Sequence, residues 1–373
     1  MKINTFKVEE WMNEYEQYCK YDLGNTTVQN LSLDELFAIT NTDKKEFLEK
    51  ITSTHLGYGY ITGNPDFKNG IKTLYKNINS EEILTTIGAA GANHLVFYSL
   101  IEPEDEVVTF LPTYQQLYSI PESFGAKVKH LFLKQENNYS PDIDELKSLV
   151  NSKTKMICIN NPNNPTGAVI DKQTMSKIIE IAKSVGAYIL CDEVYRDLNQ
   201  TESPIASITE LYEKGISTCS MSKIFSLAGL RLGWLATKDK TVLELCKSHR
   251  EYNMISCSIT DEYIAALALK NADKIINRNK KIIKDSLEIL DNWIQNQNHF
   301  SYIKPKAGTT ALVFYDYETK SNDLCDMLAK KHGVFLTPGY CFELENCFRV
   351  GYCTGEKGLK DGLIKISNAF SII

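Results

Sequence analysis

The sequence predicts an α/β protein: a sheet flanked by helices, joined to a second, smaller α+β domain. Three observations predict it. Strand-like runs alternate with helix-like runs through the middle of the chain, the pattern of strands linked by helical crossovers. After about residue 255 the texture changes to one long amphipathic stretch followed by short apolar runs. The chain has 373 residues, 43% hydrophobic and 24% charged, enough for a large core and more than one domain.

In chain order, the first expected element is a helix over Val8–Cys19. With the segment up to about Asp43 it is expected to fold back onto the second domain. The alternating region holds expected strands at Glu106–Leu111, Lys127–Leu133, Lys155–Asn160, Ala187–Cys191, Ile216–Ser220 and Leu232–Ala236. Expected helices are Asn93–Leu100, after a small-residue loop, Ile143–Leu149, and Lys172–Val185, with Asp171 as a candidate cap. A helix over Asp261–Asn298 then leads into antiparallel-type strands at Thr309–Tyr317, Val334–Thr337 and Cys347–Tyr352. The expected division is an arm (1–45) packing on the small domain, a large domain (46–255) and the small domain (256–373).

Composition narrows the function classes. Net charge is −6 with both signs interspersed, and no basic stripe with interleaved aromatics points to nucleic acid. No apolar run approaches the roughly 20 residues of a membrane-spanning helix. Met1–Lys20 is polar and acidic, unlike a signal or transit peptide. Ten scattered cysteines lack zinc-site spacing, and several lie in apolar runs, as Cys158 does; buried, reduced thiols of a cytoplasmic protein are expected. None of the six histidines has an i, i+4 partner, so no metal site is expected.

Three motifs carry chemistry. Ser220-Met221-Ser222-Lys223 follows a strand-like run, and Gly229-Leu230-Arg231-Leu232-Gly233-Trp234 comes just after it. The lysine can form an imine and the arginine can pair with a phosphate; otherwise the two are a solvated lysine and a core-edge arginine. Asn160-Asn161-Pro162-Asn163-Asn164-Pro165-Thr166-Gly167 makes a rigid loop at the carboxyl end of a strand, where open α/β sheets bind ligands. Cys191-Asp192-Glu193-Val194-Tyr195 ends another strand. Asp192 is either a helix cap or the carboxylate that a cationic ring nitrogen requires.

Together, in this order, the motifs resemble the fold-type I pyridoxal-phosphate (PLP) enzymes of the aspartate-aminotransferase superfamily, from about Tyr58 to Arg349. The resemblance implies a mostly parallel, seven-stranded type of sheet and pyridoxal 5'-phosphate as cofactor. Lys223 matches the Schiff-base lysine, and Asp192 the partner of the pyridine nitrogen. Tyr195 and Asn164 match donors to the ring 3-hydroxyl oxygen, while Ser220, Ser222 and Arg231 match positions around the phosphate. Gly91-Ala92-Asn93 opens the expected helix, whose N–H groups can meet that phosphate. Tyr114, in Pro112-Thr113-Tyr114, resembles the aromatic residue that stacks on the ring.

Tyr58, before Gly63, matches the tyrosine that reaches the phosphate of the neighbouring subunit, with Tyr60 a close competitor; a homodimer is therefore implied. Arg349, a lone arginine in the apolar Phe348-Arg349-Val350, matches the arginine that pairs with a substrate carboxylate.

The implied activity is amino transfer from an α-amino acid, with a 2-oxo acid as acceptor. The alternative is a lyase or cyclase, because one fold serves many reactions. Phe6–Phe37, with Glu9-Glu10-Trp11 and Asp22-Leu23-Gly24, is similar to capreomycidine synthase-like enzymes, which act on hydroxylated arginine by elimination and ring closure. In that arm Gly24, Asn25, Thr26 and Thr27 are candidate substrate-binding residues. No second arginine stands out for a dicarboxylate side chain. A PLP-fold transcription regulator would need a basic recognition helix, and residues 1–45 hold none.

Overall fold

In the computed structural model, which describes residues 2–201 and 203–370, the six expected middle strands lie side by side in one sheet. Across it the order is Ile83–Thr86, Gly233–Thr237, Gly215–Ser220, Tyr188–Asp192, Thr154–Asn160, Glu106–Leu111 and Lys127–Phe132. Neighbours pair in parallel except at Gly233–Thr237, which runs antiparallel to both of its neighbours. The sheet has the seven strands that the resemblance implies, but the seventh, Ile83–Thr86, was not placed beforehand: four residues, two of them threonine, give no usable periodicity.

Helices cover both faces, which is why the central strands read as unbroken apolar runs. Ile157, Ile159 and Ile189 face the helix Lys172–Val185, while Met156, Cys158 and Leu190 pack with Leu95 and Val96 of a helix on the other side. Each such fully buried side chain contributes about 1.5–3 kcal/mol relative to exposure. Asp171 caps Lys172–Val185 by accepting from the Thr174 N–H, and Gly186 ends it at φ 73°.

The second sheet is antiparallel throughout, in the order Thr337–Pro338, Cys347–Gly351, Thr310–Tyr315 and Phe300–Tyr302. The expected strand Val334–Thr337 is divided. Val334–Phe335 pairs in parallel with Tyr21–Asp22, whereas Thr337–Pro338 joins the antiparallel sheet. Between them the Leu336 carbonyl is taken by the Trp11 indole, 2.8 Å away. The expected helix Asp261–Asn298 is two helices, Ile259–Lys270 and Ala272–Gln295. Asn271 separates them: it leaves helical geometry (φ −119°, ψ 29°), and its amide caps the Leu267 carbonyl.

The first helix spans Lys7–Tyr15, shorter than expected. It bridges the two sheets. Trp11 and Tyr15 tie it to Leu336 and Asp326, while the Lys7 N–H donates to Gln115 at 2.9 Å, beside the large sheet.

Candidate active site

Four strands of the large sheet end at one edge, at Leu111, Asn160, Asp192 and Ser220. Their register sets Asn160 opposite Asp192 and Asp192 opposite Thr218. A cavity of about 360 Å³ opens there, at the carboxyl ends of parallel strands where such sheets bind ligands.

One wall is built by that edge. Asp192 is buried and accepts from Asn93 Nδ2 (3.0 Å) and the Val194 N–H (3.2 Å). Asn93 is itself fixed by the Thr218 hydroxyl, which donates to its Oδ1 at 2.6 Å. Burial raises the Asp192 carboxyl above its usual range, against these donors, which favour the charged form. Burial also brings the Lys223 ammonium down to about 8, and nearby Arg349 adds to the fall. Lys223 Nζ donates to Thr26 Oγ1 at 2.5 Å. The Tyr195 hydroxyl is pushed up to about 12 by burial, partly offset by the neighbouring Thr26 and Thr309 hydroxyls. It therefore stays protonated, and a donor, at neutral pH.

At one end of this wall the helix Gly88–Leu100 starts, with Ala89 and Ala90 on the cavity beside Ser220, Ser222 and Arg231. The backbone approach is close. A Cβ on Gly233 would lie 2.3 Å from the Gly88 carbonyl carbon, and one on Gly88 would lie 2.9 Å from Arg231 Nη2. Glycine at both positions lets strand, helix start and guanidinium crowd together, a ready anion site.

The opposite wall comes from the chain ends. Val8, Glu9 and Met12 of the first helix line it, with Asn25, Thr26 and Arg349. Arg349 is fully buried, yet its hydrogen-bond partners are neutral oxygens: Asn164 Oδ1 (3.2 Å), the Gly24 carbonyl (2.8 Å) and Thr337 Oγ1 (3.0 Å). Its Nε has no partner. Burial pulls its pKa down, as expected for a guanidinium that lacks an anion.

The structure thus gathers Lys223, Asp192, Tyr195, Asn93, Asn164, Tyr114, Ser220, Ser222, Arg231, Arg349, Asn25 and Thr26 around one cavity. The expected helix start is corrected. The helix begins at Gly88, not Asn93, so Gly91 and Ala92 lie a turn in and do not border the cavity. Ala92 packs in the core, and Asn93 meets Asp192. The helix starts early because Gly88, at φ 68°, turns the chain directly out of Ile83–Thr86, the strand that was missed.

Gly24 reaches the site only through its carbonyl, and Thr27 turns back to bond Asn25 Oδ1. Tyr58 and Tyr60 are 80% and 58% exposed and border a separate pocket. Sequence reasoning gave no role to Glu9 or Asn160. Asn160 was legible as the first residue of the Asn/Pro run, and it bonds the Asp192 carbonyl at 3.0 Å. Glu9 stood in the Glu9-Glu10-Trp11 run of the arm, which marked the segment but not a place on the cavity.

Two comparisons bear on the fold. The chain superposes on the crystal structure of a PLP-dependent aminotransferase from Streptococcus suis with a TM-score of 0.97 and 43% identity, covering 100% of this chain and 99% of that one. A PLP-dependent cyclase, at 21% identity and a TM-score of 0.91 over 100% and 98% of the two chains, shares the fold.

The cavity's chemistry can be tested against pyridoxal 5'-phosphate group by group. An aldehyde needs a neutral amine, and Lys223 supplies one whose ammonium is already disfavoured. A basic ring nitrogen needs a buried carboxylate, and a phosphate needs amides, hydroxyls and a guanidinium; the sheet edge holds both sets. The group fits. Fold and site therefore define a PLP-dependent enzyme of fold type I. The family model of aminotransferase class I and II matches residues 28–365, and the chain belongs to that family. It is also 27% identical to capreomycidine synthase of Streptomyces vinaceus, over 96% of this chain and 92% of that protein. To an aspartate aminotransferase of Pyrococcus horikoshii it is 28% identical, over 84% and 83%.

Proposed function

We propose that this protein is an aminotransferase that takes the amino group of an α-amino acid and delivers it to a 2-oxo acid. The observation that carries this reading is Arg349: a buried guanidinium with neutral partners and a spare N–H, bordering the cavity that also holds Lys223 and Asp192. A carboxylate is the ligand that completes such a guanidinium, by a bidentate pair, and both substrates of amino transfer carry one.

When bound, the cofactor supplies an electron sink that acidifies the α C–H of an attached amino acid. Asp192, fixed by Asn93 and the Val194 N–H, keeps a proton on the ring nitrogen. Asn164 and the Tyr195 hydroxyl would serve the ring oxygen, and Ser220, Ser222, Arg231 and the helix start at Gly88–Ala90 would receive the phosphate. Tyr114, on the cavity wall, would pack against the ring. Lys223 would hold the cofactor at rest, and its amine, once released, would take the proton from the substrate Cα. Arg349 fixes the substrate carboxylate, which orients the C–H bond.

Purified holoenzyme with an amino acid and 2-oxoglutarate or pyruvate tests this. Formation of glutamate or alanine supports it. A second reading, a lyase or cyclase, is favoured by the match to capreomycidine synthase over nearly the whole chain. Ammonia or a cyclised amino acid formed without any acceptor would replace the first reading with the second.

The active unit in this reading is a homodimer in which Tyr58 reaches the partner's phosphate site. Tyr58 is exposed, as are Leu56, Ile61, Tyr252 and Ile255, and Arg250 joins the Ile61 and Ile255 carbonyls on one face. Mixing Tyr58→Phe and Lys223→Ala subunits should form one intact site per mixed dimer and restore activity. If only Tyr60→Phe behaves this way, the role passes to Tyr60.

A further inference from the structure

We propose that Asn279 is a positioning residue for Lys223: from outside the cavity it holds the loop that carries the amine, and so sets where the amine meets the cofactor. The role rests on Lys223 as the residue that holds the cofactor, and it is the same whichever reaction follows. The helix Ala272–Gln295 buries a stripe of Ile275, Ile283, Leu287, Leu290 and Ile294. Asn279 lies in that stripe, one turn from Ile275 and one turn from Ile283, and is wholly buried. An amide is tolerated there only if its polar atoms are paired. They are. Its Nδ2 donates to the Ile224 carbonyl at 2.8 Å and to Ser226 Oγ at 3.0 Å. Arg278 Nη1 donates to its Oδ1 at 2.7 Å. A guanidinium only donates, so Arg278 decides which end of the amide is oxygen and turns the NH2 group towards the loop.

The loop needs that hold. Ser226 has φ 57°, a left-handed conformation that serine seldom adopts. Ile224 and Phe225 are fully buried in the same core as the stripe. The Ser226 carbonyl accepts from the Leu31 N–H of the arm at 2.9 Å. The residues one and three places beyond Lys223 are therefore both tied, and Asn279 is common to the two. The other side of the amine is braced from the same helix. Both terminal nitrogens of Arg278 donate to the Gln29 carbonyl at 3.2 Å, and three residues earlier Thr26 accepts from Lys223 Nζ. Asn279 itself does not border the cavity, so it acts through Lys223 rather than on a bound molecule.

The test mixes apoenzyme with pyridoxal 5'-phosphate and follows the growth of the attached cofactor's absorbance, with thermal unfolding measured on the same samples. Asn279→Leu keeps the volume and suits the apolar stripe, so it should stay folded. It should attach the cofactor about 10-fold or more slowly, within the roughly 10²-fold that an ångström of misplacement costs. Ser226→Ala removes one of the two acceptors and should slow attachment by a smaller factor. Because both act through one contact, the double variant should be no slower than Asn279→Leu alone. A native attachment rate in folded Asn279→Leu overturns the proposal, as do factors for the two variants that simply multiply. Should Asn279→Leu fail to fold, Ser226→Ala decides: slower attachment at a native unfolding temperature supports the role, and a native rate ends it. If native apoenzyme gains no absorbance from pyridoxal 5'-phosphate, the reading of Lys223 itself fails, which is a separate failure.

Discussion

The two walls of the cavity are made in different ways. The wall bearing Lys223 and Asp192 comes from strand ends, where register sets positions: Asn160, Asp192 and Thr218 are neighbours because their strands are. The wall bearing Glu9 and Arg349 comes from a helix near one end of the chain and a small antiparallel sheet near the other, tied by side-chain bonds such as Trp11 to Leu336. The first wall therefore supplies chemistry that a family shares, and the second can change its contents without disturbing the sheet. Specificity is expected to reside in the second.

Lys223→Ala breaks the first wall most completely. It should abolish the visible absorbance of the attached cofactor and lower kcat by at least about 10³-fold, the upper part of what a positioned acid–base group contributes. If absorbance and turnover both persist, the lysine assignment is wrong. Asp192→Asn keeps the shape but not the charge, and kcat should fall by about 10²-fold, as when other positioned charge-stabilising groups are removed. The second wall responds differently. Arg349→Ala should raise KM about 10²-fold, the cost of breaking a buried charge pair, with the cofactor spectrum as in native enzyme. An unchanged KM would remove its carboxylate role.

The smallest expected effect tests whether the walls sense each other. Burial favours the neutral amine of Lys223, so apoenzyme should react with pyridoxal phosphate faster as pH rises towards about 8, then level off. Because the Arg349 charge helps lower that pKa, Arg349→Ala should move the midpoint upward. A midpoint that does not move would mean the walls are electrostatically separate.

How much was legible in the sequence follows the same division. Strand ends and their motifs were readable because apolar runs and the Asn/Pro and Ser/Lys clusters are local, but Lys223, Asp192, Asn164 and Arg231 became candidates for one site only through the order of the three motifs and the resemblance it carries. Ile83–Thr86 escaped because four residues carry too little pattern, and the helix start at Gly88 was misplaced with it. Asn271 looked like any polar residue of an amphipathic run, since only its backbone angles reveal the break. The place of Glu9 on the cavity was illegible for a different reason. Nothing in Lys7–Tyr15 announces that its neighbour is Tyr114, because that contact exists only after the whole molecule has folded.

The bridging first helix has a consequence for biosynthesis. Every side chain named for the amine-bearing wall is present once the ribosome has passed Arg231, but Arg349 is made more than a hundred residues later. The cavity is therefore closed from the two ends of the sequence, and its substrate side is complete only when the segment bearing Arg349 has been made and has folded back.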